Sequence, residues 1–496
     1  MRIDGPVRTA PEQLLEDLLD RVRPVIAQTV DPLQVAALLE ADGITDEGAQ
    51  KNFGFDDVFH LATEVRRRCV PAARVSIKSG EPCTPSGPRT AHHRALRVRV
   101  VGRAVRGAGV GSGAMTFRLV SHGVLYLLPA TLFPAVLAVL GPGPVVRGLV
   151  IGAAVAWVWA GAAVWVAYRL LSAQRPDSAA RVLRIATLTG LLMAAATASA
   201  LAGSFGYDSG LVPVAVAQMA YQMGATVLMF HRREGLLVAA MVPAVIVGGL
   251  YMLSVANVST AVALVAGGSS VLAVLALSLV VRRPKGDHTA TAAWMAVQGD
   301  PGQFVLVVIY TGLTAAYLLH AQARYMFGSL EVAVGLLPLI VGMGVVELQA
   351  YRFRPRASAL KKSVRYPREF ASGIRWLLVH DIATCGLTVA GLGVLVLSGL
   401  AVLGALSPAG VAMTLASVFL ASSYYLSFLM TGIAMLGPLC AAVAISLSVH
   451  VVAVAVIPAA QEPFVDTSLF AATSLLLMLI SLVALLPSIT DPRTLS

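Results

Sequence analysis

The sequence predicts an all-α polytopic membrane protein: twelve transmembrane helices in two parallel six-helix bundles, preceded by a small N-terminal cytoplasmic helical module. Of the 496 residues, 57% are hydrophobic and only 13% are charged, whereas a soluble protein carries about 25% charged residues. From residue 119 onward, apolar runs of about twenty residues recur, and each is long enough to cross the roughly 30 Å hydrocarbon core as a helix. Cations cluster in the connections of one side only.

Residues 1–69 are expected to form the cytoplasmic helical module. Leucines 14, 15, 18 and 19 recur at helical spacing. A second helix is expected from Asp31-Pro32, an N-cap followed by proline, to Gly43. Two short helices are expected over 45–52 and 56–67. Because so few helices bury a marginal core, we expect an adapter that docks on the loops or on a partner, and nothing in it indicates catalysis.

Residues 70–118 predict a basic tether that is rich in Pro, Gly and Ser. No apolar run in the first 118 residues is long enough for a signal peptide. His92-His93 stands without further ligands, and the cysteines lack metal-ligand spacing. We therefore expect no metal site, no cofactor and no structural disulfide. The cysteines are Cys69, Cys83, Cys385 and Cys440.

Twelve apolar runs predict twelve spans. They group into a first bundle over 119–281, a cytoplasmic linker over 282–302, a second bundle over 303–487 and a cytoplasmic tail over 488–496. The spans are expected at 119–140, 146–170, 182–203, 211–230, 235–255, 258–281, 303–323, 330–350, 376–400, 409–430, 436–457 and 467–487.

The segment 351–375 fixes the predicted orientation. It carries eight cations against the single acid Glu369, and short Lys/Arg-rich loops stay in the cytoplasm. If it is a cytoplasmic loop, seventeen cations lie in inside connections, and only Arg147 and Arg324 lie outside. We therefore expect a multi-pass protein of the cytoplasmic (inner) membrane with both termini cytoplasmic. The eight cations are Arg352, Arg354, Arg356, Lys361, Lys362, Arg365, Arg368 and Arg375.

An internal repeat is expected because six spans lie on each side of the linker. Six is an even number, so the two halves share one orientation and the repeat is parallel. In each half the second inside connection, 169–184 or 351–375, is the basic one. The single external arginines also correspond, since each lies between the first and second spans of its half.

Over about 119–487 the chain resembles the MOP superfamily, with its lipid-linked saccharide flippases, MurJ-like lipid II flippases and PelG-like polysaccharide transporters. The resemblance rests on the 6 + 6 arrangement, the basic connection before the ninth span, and the pattern YYLSFLMTGIAMLGPLCAAVAISLSVHVVAVAVI over 424–457. The chain departs from the family in having AAQEPFVDTS before the last helix in place of a glycine-rich turn, and in lacking a dense cationic cavity. The resemblance implies two six-helix bundles that move a large amphiphile by alternating access.

Polar and ionisable residues within apolar spans are candidate functional groups because they are costly there. Gln218 and Gln222 lie one helical turn apart, so both can face a cavity or make an interhelical hydrogen bond. Glu347 and Asp381 are expected at similar depth near the inner face, with His380 beside Asp381. They form either an interfacial ion-pair network with Arg352 and Arg375 or a carboxylate site for proton or cation coupling.

Four further candidates stand alone in the sequence. His122 lies early in the first span, and His450 lies in the middle of the eleventh, where an isolated histidine is more often a packing residue. Arg147 and Arg324 either meet a phosphate or uronate of a departing substrate or reach toward lipid headgroups. No catalytic residue is assigned.

The predicted function is that of a transporter moving a lipid-linked saccharide or polysaccharide across the membrane. The alternative is a non-transporting scaffold or regulatory subunit of a cell-envelope glycan-synthesis complex, reached through the N-terminal module. No enzyme is expected, because the external connections are short and no DxD, HExxH, Walker A or GxSxG motif stands in a suitable context. The expected partners are membrane lipid, a lipid-linked saccharide or polysaccharide substrate and glycan-synthesis proteins. The net charge of +11 suits anionic headgroups, and nucleic acid is not expected.

Overall fold

The structure is a computed structural model. It describes residues 44–69, 128–253, 258–281, 296–325, 329–364 and 366–490, with the separate positions 14, 17–19, 39, 40, 123, 125 and 293. Every regular element within these residues is helical. The chain divides into two compact units, Met1–Pro88 and Arg89–Ser496.

The N-terminal unit has a small apolar core of its own. Thr45 caps the helical turn Asp46–Gly48, which continues to Phe53 and ends at Gly54, where a φ of +76° suits glycine. The helix Val58–Cys69 begins where the Val58 amide donates to Asp46 Oδ1 at 2.9 Å. These two elements lie close to the helices expected over 45–52 and 56–67. The helices expected earlier, and the tether, fall almost wholly outside the described residues. The core consists of Leu18, Leu19, Leu39, Ala49, Val58, Leu61, Ala62 and Val65.

The membrane unit is built from long apolar helices. Within the described residues eleven helices are long and apolar enough to cross a membrane, and a shorter apolar stretch, Leu128–Leu140, occupies part of the first expected span. Of residues 119–127, which complete that span, the structure describes positions 123 and 125, and His122 lies outside the described residues. The helices are α1 Phe133–Leu140, α2 Pro142–Ser172, α3 Pro176–Phe205, α4 Leu211–Phe230, α5 Glu234–Leu253, α6 Thr260–Val280, α7 Pro301–Gln322, α8 Leu337–Ser363, α9 Pro367–Val402, α10 Pro408–Gly432, α11 Leu436–Val456 and α12 Pro463–Thr490.

Local signals in the sequence set several helix starts. Proline occupies the first helical position of α2, α3, α7, α9, α10 and α12, where its missing N–H costs no hydrogen bond. Caps reinforce these starts: Asp300 Oδ1 accepts from the Gln303 amide, and Ser407 Oγ accepts from the Gly410 amide. Short connections then make successive helices antiparallel. The helix ends that bear Arg169 and Lys362, and the connection between α4 and α5 that bears Arg233, therefore share one side of the unit, here named the basic end.

The helix packing confirms the parallel repeat. In the first bundle α2 packs on α3 and α4, α4 packs on α6, and α5 packs on α6. In the second bundle α8 packs on α9 and α10, α10 packs on α12, and α11 packs on α12. The contacts of α1 with α5 and α6 match those of α7 with α11 and α12. Each helix of the first half therefore corresponds to the helix six places later in chain order.

The two bundles meet through matching pairs of helices. Helix α2 packs along α7, and a Cβ on Gly161 would lie 2.5 Å from Thr311 Cγ2. The first span meets α8, where a Cβ on Gly123 would lie 2.3 Å from the Val341 carbonyl oxygen. Exchanging the two halves turns one of these contacts into the other, as an axis along the membrane normal requires.

The interpretation of 351–375 as a loop is wrong. Helix α8 continues to Ser363 and α9 begins at Pro367, so only residues 364–366 connect them. Phe353, Ala357 and Leu360 are buried at helical spacing, whereas Arg354 and Lys361 are exposed. Lysine, arginine and alanine are strong helix formers, and this apolar stripe packs onto neighbouring helices. Charge thus marks where the apolar span ends but not where the helix ends.

Candidate functional site

A cavity of about 730 Å³ lies between the two bundles. Its walls are mostly apolar or aromatic and come from the first span, α2, α4 and α5 on one side and from α7, α8 and α10 on the other. Tyr168 and Phe230 line it near the basic end, where Tyr168 is 56% exposed, and Gln322 lines it at the opposite end of α7. The volume lies within the range of small-molecule sites.

A few polar side chains interrupt this apolar lining. Gln218, Gln222 and Thr226 contribute from successive turns of α4, Gln322 from α7 and Glu347 from α8. Gln218 Nε2 lies 3.5 Å from Gln222 Oε1, and Thr226 Oγ1 donates to the Gln222 carbonyl at 2.7 Å. Among the described residues that line the cavity, Glu347 is the one carboxylate, and none is lysine or arginine. Of the two alternatives that the sequence left open for the glutamine pair, a place on a cavity and a hydrogen bond between helices, the structure shows the first, and the two amides contact each other within α4.

Asp381 lies apart from this cavity, in a buried network within the second bundle. It is fully buried, and its Oδ1 accepts from Arg356 Nη1 at 2.9 Å. Its Oδ2 accepts from the Tyr425 hydroxyl at 3.1 Å, and Arg356 Nη1 also donates to Gln349 Oε1 at 3.2 Å. The network joins α8, α9 and α10. Arg356, a residue of the expected loop, therefore occupies the place that the sequence suggested for Arg352 and Arg375.

His380 stands at the rim of the same network. Its Nδ1 lies 3.3 Å from Asp381 Oδ1, and its ring stacks on that of Trp376 with centroids 5.3 Å apart. Glu347 lines the cavity whereas Asp381 and His380 do not. The structure thus separates the two carboxylates that were expected at one site.

His450 and Arg324 come together at the end of the second bundle opposite the basic end. Arg324 Nη2 lies 3.2 Å from Asp466 Oδ1, and the Tyr325 hydroxyl donates to Asp466 Oδ2 at 2.6 Å. His450 Nε2 lies 4.0 Å from Asp466 Oδ1. Asp466 is the aspartate of the stretch AAQEPFVDTS before the last helix, and the sequence analysis did not select it as a candidate. Its place in the first turn of an apolar helix, where a carboxylate favours the helix N-terminus, is the signal that could have identified it.

Arg147 belongs to α2 and not to the connection before it. Its side chain is exposed, and the guanidinium carbon lies 4.3 Å from the centre of the Tyr207 ring. A cation over an aromatic face is a stable contact that needs no ligand. Arg147 does not line the cavity, so it stands apart from Gln218, Gln222 and Glu347.

The sequence missed most of the cavity lining. Trp157, Tyr221, Gln322 and Tyr424 all face the cavity, yet aromatic residues in apolar spans look the same whether they face lipid, protein or solute. Gln322 could have been noticed as an amide at the end of an apolar run. Within the described lining, the cavity offers apolar and aromatic walls, four polar side chains without charge (Gln218, Gln222, Thr226 and Gln322) and one acid. Such a lining can bind an amphiphile that has a polar, uncharged portion.

Comparisons with known proteins give one weak likeness of fold. No protein-family profile matches the chain, and no curated protein matches it. Among solved structures, the crystal structure of the eukaryotic MATE transporter AtDTX14 is similar over 79% of this chain and 96% of that chain, at 13% identity and a TM-score of 0.47. A likeness at this TM-score says nothing of substrate or mechanism, and the MurJ-like and PelG-like subtypes stay untested.

Proposed function

We propose that this protein is an integral membrane transporter that moves an amphiphile across the cytoplasmic membrane by alternating access of its two six-helix bundles. The observation that carries the proposal is the cavity of about 730 Å³ whose walls come from both bundles. Because the bundles are alike and meet at two related helix pairs, a rocking motion about those pairs can close one end of the cavity while opening the other. A scaffold has no need for such a space.

For the substrate class we propose a lipid-linked saccharide or polysaccharide. The flat faces of Trp157, Tyr221 and Tyr424 suit sugar rings, and the amides of Gln218 and Gln222 can hydrogen-bond hydroxyl groups. The apolar remainder suits a lipid chain. Because the part of the cavity wall that the structure describes contains no lysine or arginine, a carrier phosphate would stay among the exposed cations of the basic end, of which Arg354 and Lys361 are two.

The test compares cells that lack the protein with cells that carry variants of it, and measures surface polysaccharide together with lipid-linked precursor on the inner leaflet. Gln222→Leu is expected to lower transport about fivefold, since one hydrogen bond to substrate contributes about 1 kcal/mol. Trp157→Ala should lower it further, and precursor should accumulate in both variants. Gln461→Leu, an amide exposed on a connection, is the matched control. Wild-type export in both Gln222→Leu and Trp157→Ala would contradict the proposal.

A scaffold is the second candidate, because residues of the N-terminal unit pack around a core of their own. Removing residues 1–88 separates the two functions. If the protein is a scaffold, the deletion should abolish its effect on surface polysaccharide, and substitutions in the cavity should have no effect. A transporter would respond to the cavity substitutions themselves.

A further inference from the structure

A histidine without a hydrogen-bond partner is buried at the end of the second bundle opposite the basic end. His450 of α11 is fully buried, and neither of its ring nitrogens makes a hydrogen bond. Burying a polar group without a partner costs free energy, so a buried and unpaired imidazole calls for a functional reason.

The groups that face His450 form a compact titratable cluster. From α7 come Tyr317 and His320, whose ring centroids lie 6.3 and 5.4 Å from that of His450. From the turn Ala323–Tyr325 come Arg324 and Tyr325, and from α12 comes Asp466 together with the apolar ring of Phe470. Glu462, an acid of the connection before α12, is exposed. None of these residues lines the central cavity.

Asp466 holds the end of α7 against the start of α12. Its side chain is 1% exposed, with Arg324 3.2 Å from Oδ1 and the Tyr325 hydroxyl bonded to Oδ2. Oδ1 itself makes no hydrogen bond, and it is also the oxygen that lies 4.0 Å from His450 Nε2. Asp466 Oδ1 thus lies between the Arg324 guanidinium, which carries a permanent charge, and the His450 imidazole, which becomes a cation only when it takes up a proton.

We propose that His450 is a proton-binding site, and that proton binding transfers Asp466 Oδ1 from Arg324 to His450. A protonated imidazole donates from both nitrogens, so Nε2–H can make a charge-assisted hydrogen bond to Oδ1 after a small side-chain movement. Arg324, 33% exposed, can be hydrated once it is released, whereas the buried carboxylate cannot. The proton comes from water, reaches the cluster beside the exposed His320, and leaves by the same path. Its binding loosens the contact between α7 and α12.

The first bundle shows that the fold does not need an ionisable cluster at this position. The matching ends of α5 and α6 are joined by the Tyr251 and Thr260 hydroxyls, 3.1 Å apart. Within the described residues 245–253 and 258–265, no histidine or carboxylate is present. The contact between two hydroxyls does not change with pH near neutrality. The contact between a histidine and a carboxylate does change, because it depends on whether the histidine is protonated.

Hydrogen exchange of the full chain in lipid nanodiscs, corrected for the intrinsic effect of pH, tests the proposal without any substrate. Between about pH 8 and about pH 4, a range that extends below that of an exposed histidine because burial disfavours the charged imidazole, protection of the peptides around Arg324 and Asp466 should fall about tenfold, as loss of the ion pair between these two residues implies. His450→Gln should keep the protection seen at high pH throughout. His60→Gln, an exposed histidine of the N-terminal unit, is the matched control and should behave as wild type.

Arg324→Gln provides a second test that leaves the buried groups in place. It should lower protection at high pH to the level that the wild type shows at low pH, and remove the pH dependence. A pH step of wild-type size in His450→Gln or in Arg324→Gln would overturn the proposal. Because no transport is measured, this result is separate from the outcome of the export assay.

Discussion

At the scale of single residues, the most consequential contact is the buried pair of Arg356 and Asp381. Both side chains are buried; the Tyr425 hydroxyl also donates to Asp381, and Arg356 Nη1 also donates to Gln349, whereas Arg356 Nε makes no hydrogen bond. Losing one member of such a pair leaves an uncompensated buried charge, whereas replacing both by apolar residues is often tolerated. The network lies outside the cavity, so its geometry favours a structural role over the coupling role considered from the sequence.

Asp381→Asn is therefore expected to destabilise the protein by about 3–5 kcal/mol, because it leaves the Arg356 charge buried and unpaired. The double variant Arg356→Met, Asp381→Leu should recover most of that loss. Thermal unfolding in detergent, followed by circular dichroism, measures both. Glu462→Gln, at an exposed acid, serves as the control. An Asp381→Asn protein as stable as the wild type would contradict a structural role.

At the scale of helices, length and mutual approach have different causes. The apolar run of α8 predicts where it crosses the membrane, but the helix continues because residues 351–363 keep both high helix propensity and a buried stripe. Close approach depends on single glycines. At Gly123 the neighbouring atom is a backbone carbonyl of α8, which cannot turn aside as a side chain can.

Gly123→Ala is expected to cost about 1–3 kcal/mol, since the added methyl group would force the first span away from α8. It should also slow export, because this contact is one of the two about which the bundles would move. Gly268→Ala is the control: its Cβ would have nothing within 4 Å, and alanine is the better helix former. Thermal unfolding and the export assay measure the two effects. Equal stability in the two variants would show that the first span does not approach α8 this closely.

At the scale of the whole molecule, the repeat and the orientation come from different evidence. Matching helix contacts establish the repeat. The orientation rests on the distribution of seventeen cations at one end against Arg147 and Arg324 at the other, and it stays a prediction.

Single cysteines in a variant without the native cysteines test that orientation. With the basic end in the cytoplasm, Lys361→Cys should react with a membrane-impermeant thiol reagent only in inverted vesicles. Glu462→Cys should react in intact cells. Both positions are exposed, so accessibility of the side chain itself is matched. The reverse pattern would place the termini outside.

The sequence by itself determined the fold class, eleven long spans close to their observed places, and the parallel repeat, because apolar length and charge at helix ends are local properties. It also selected Gln218, Gln222 and Glu347, since a polar group in an apolar run stands out in one dimension. Only the tertiary structure decided which polar groups share a site. Asp381 meets Arg356, His450 meets Asp466, and the aromatic walls of the cavity come from helices distant in sequence. The physical reason is that partners are chosen by helix packing and side-chain direction, which residue type and spacing along one helix do not specify.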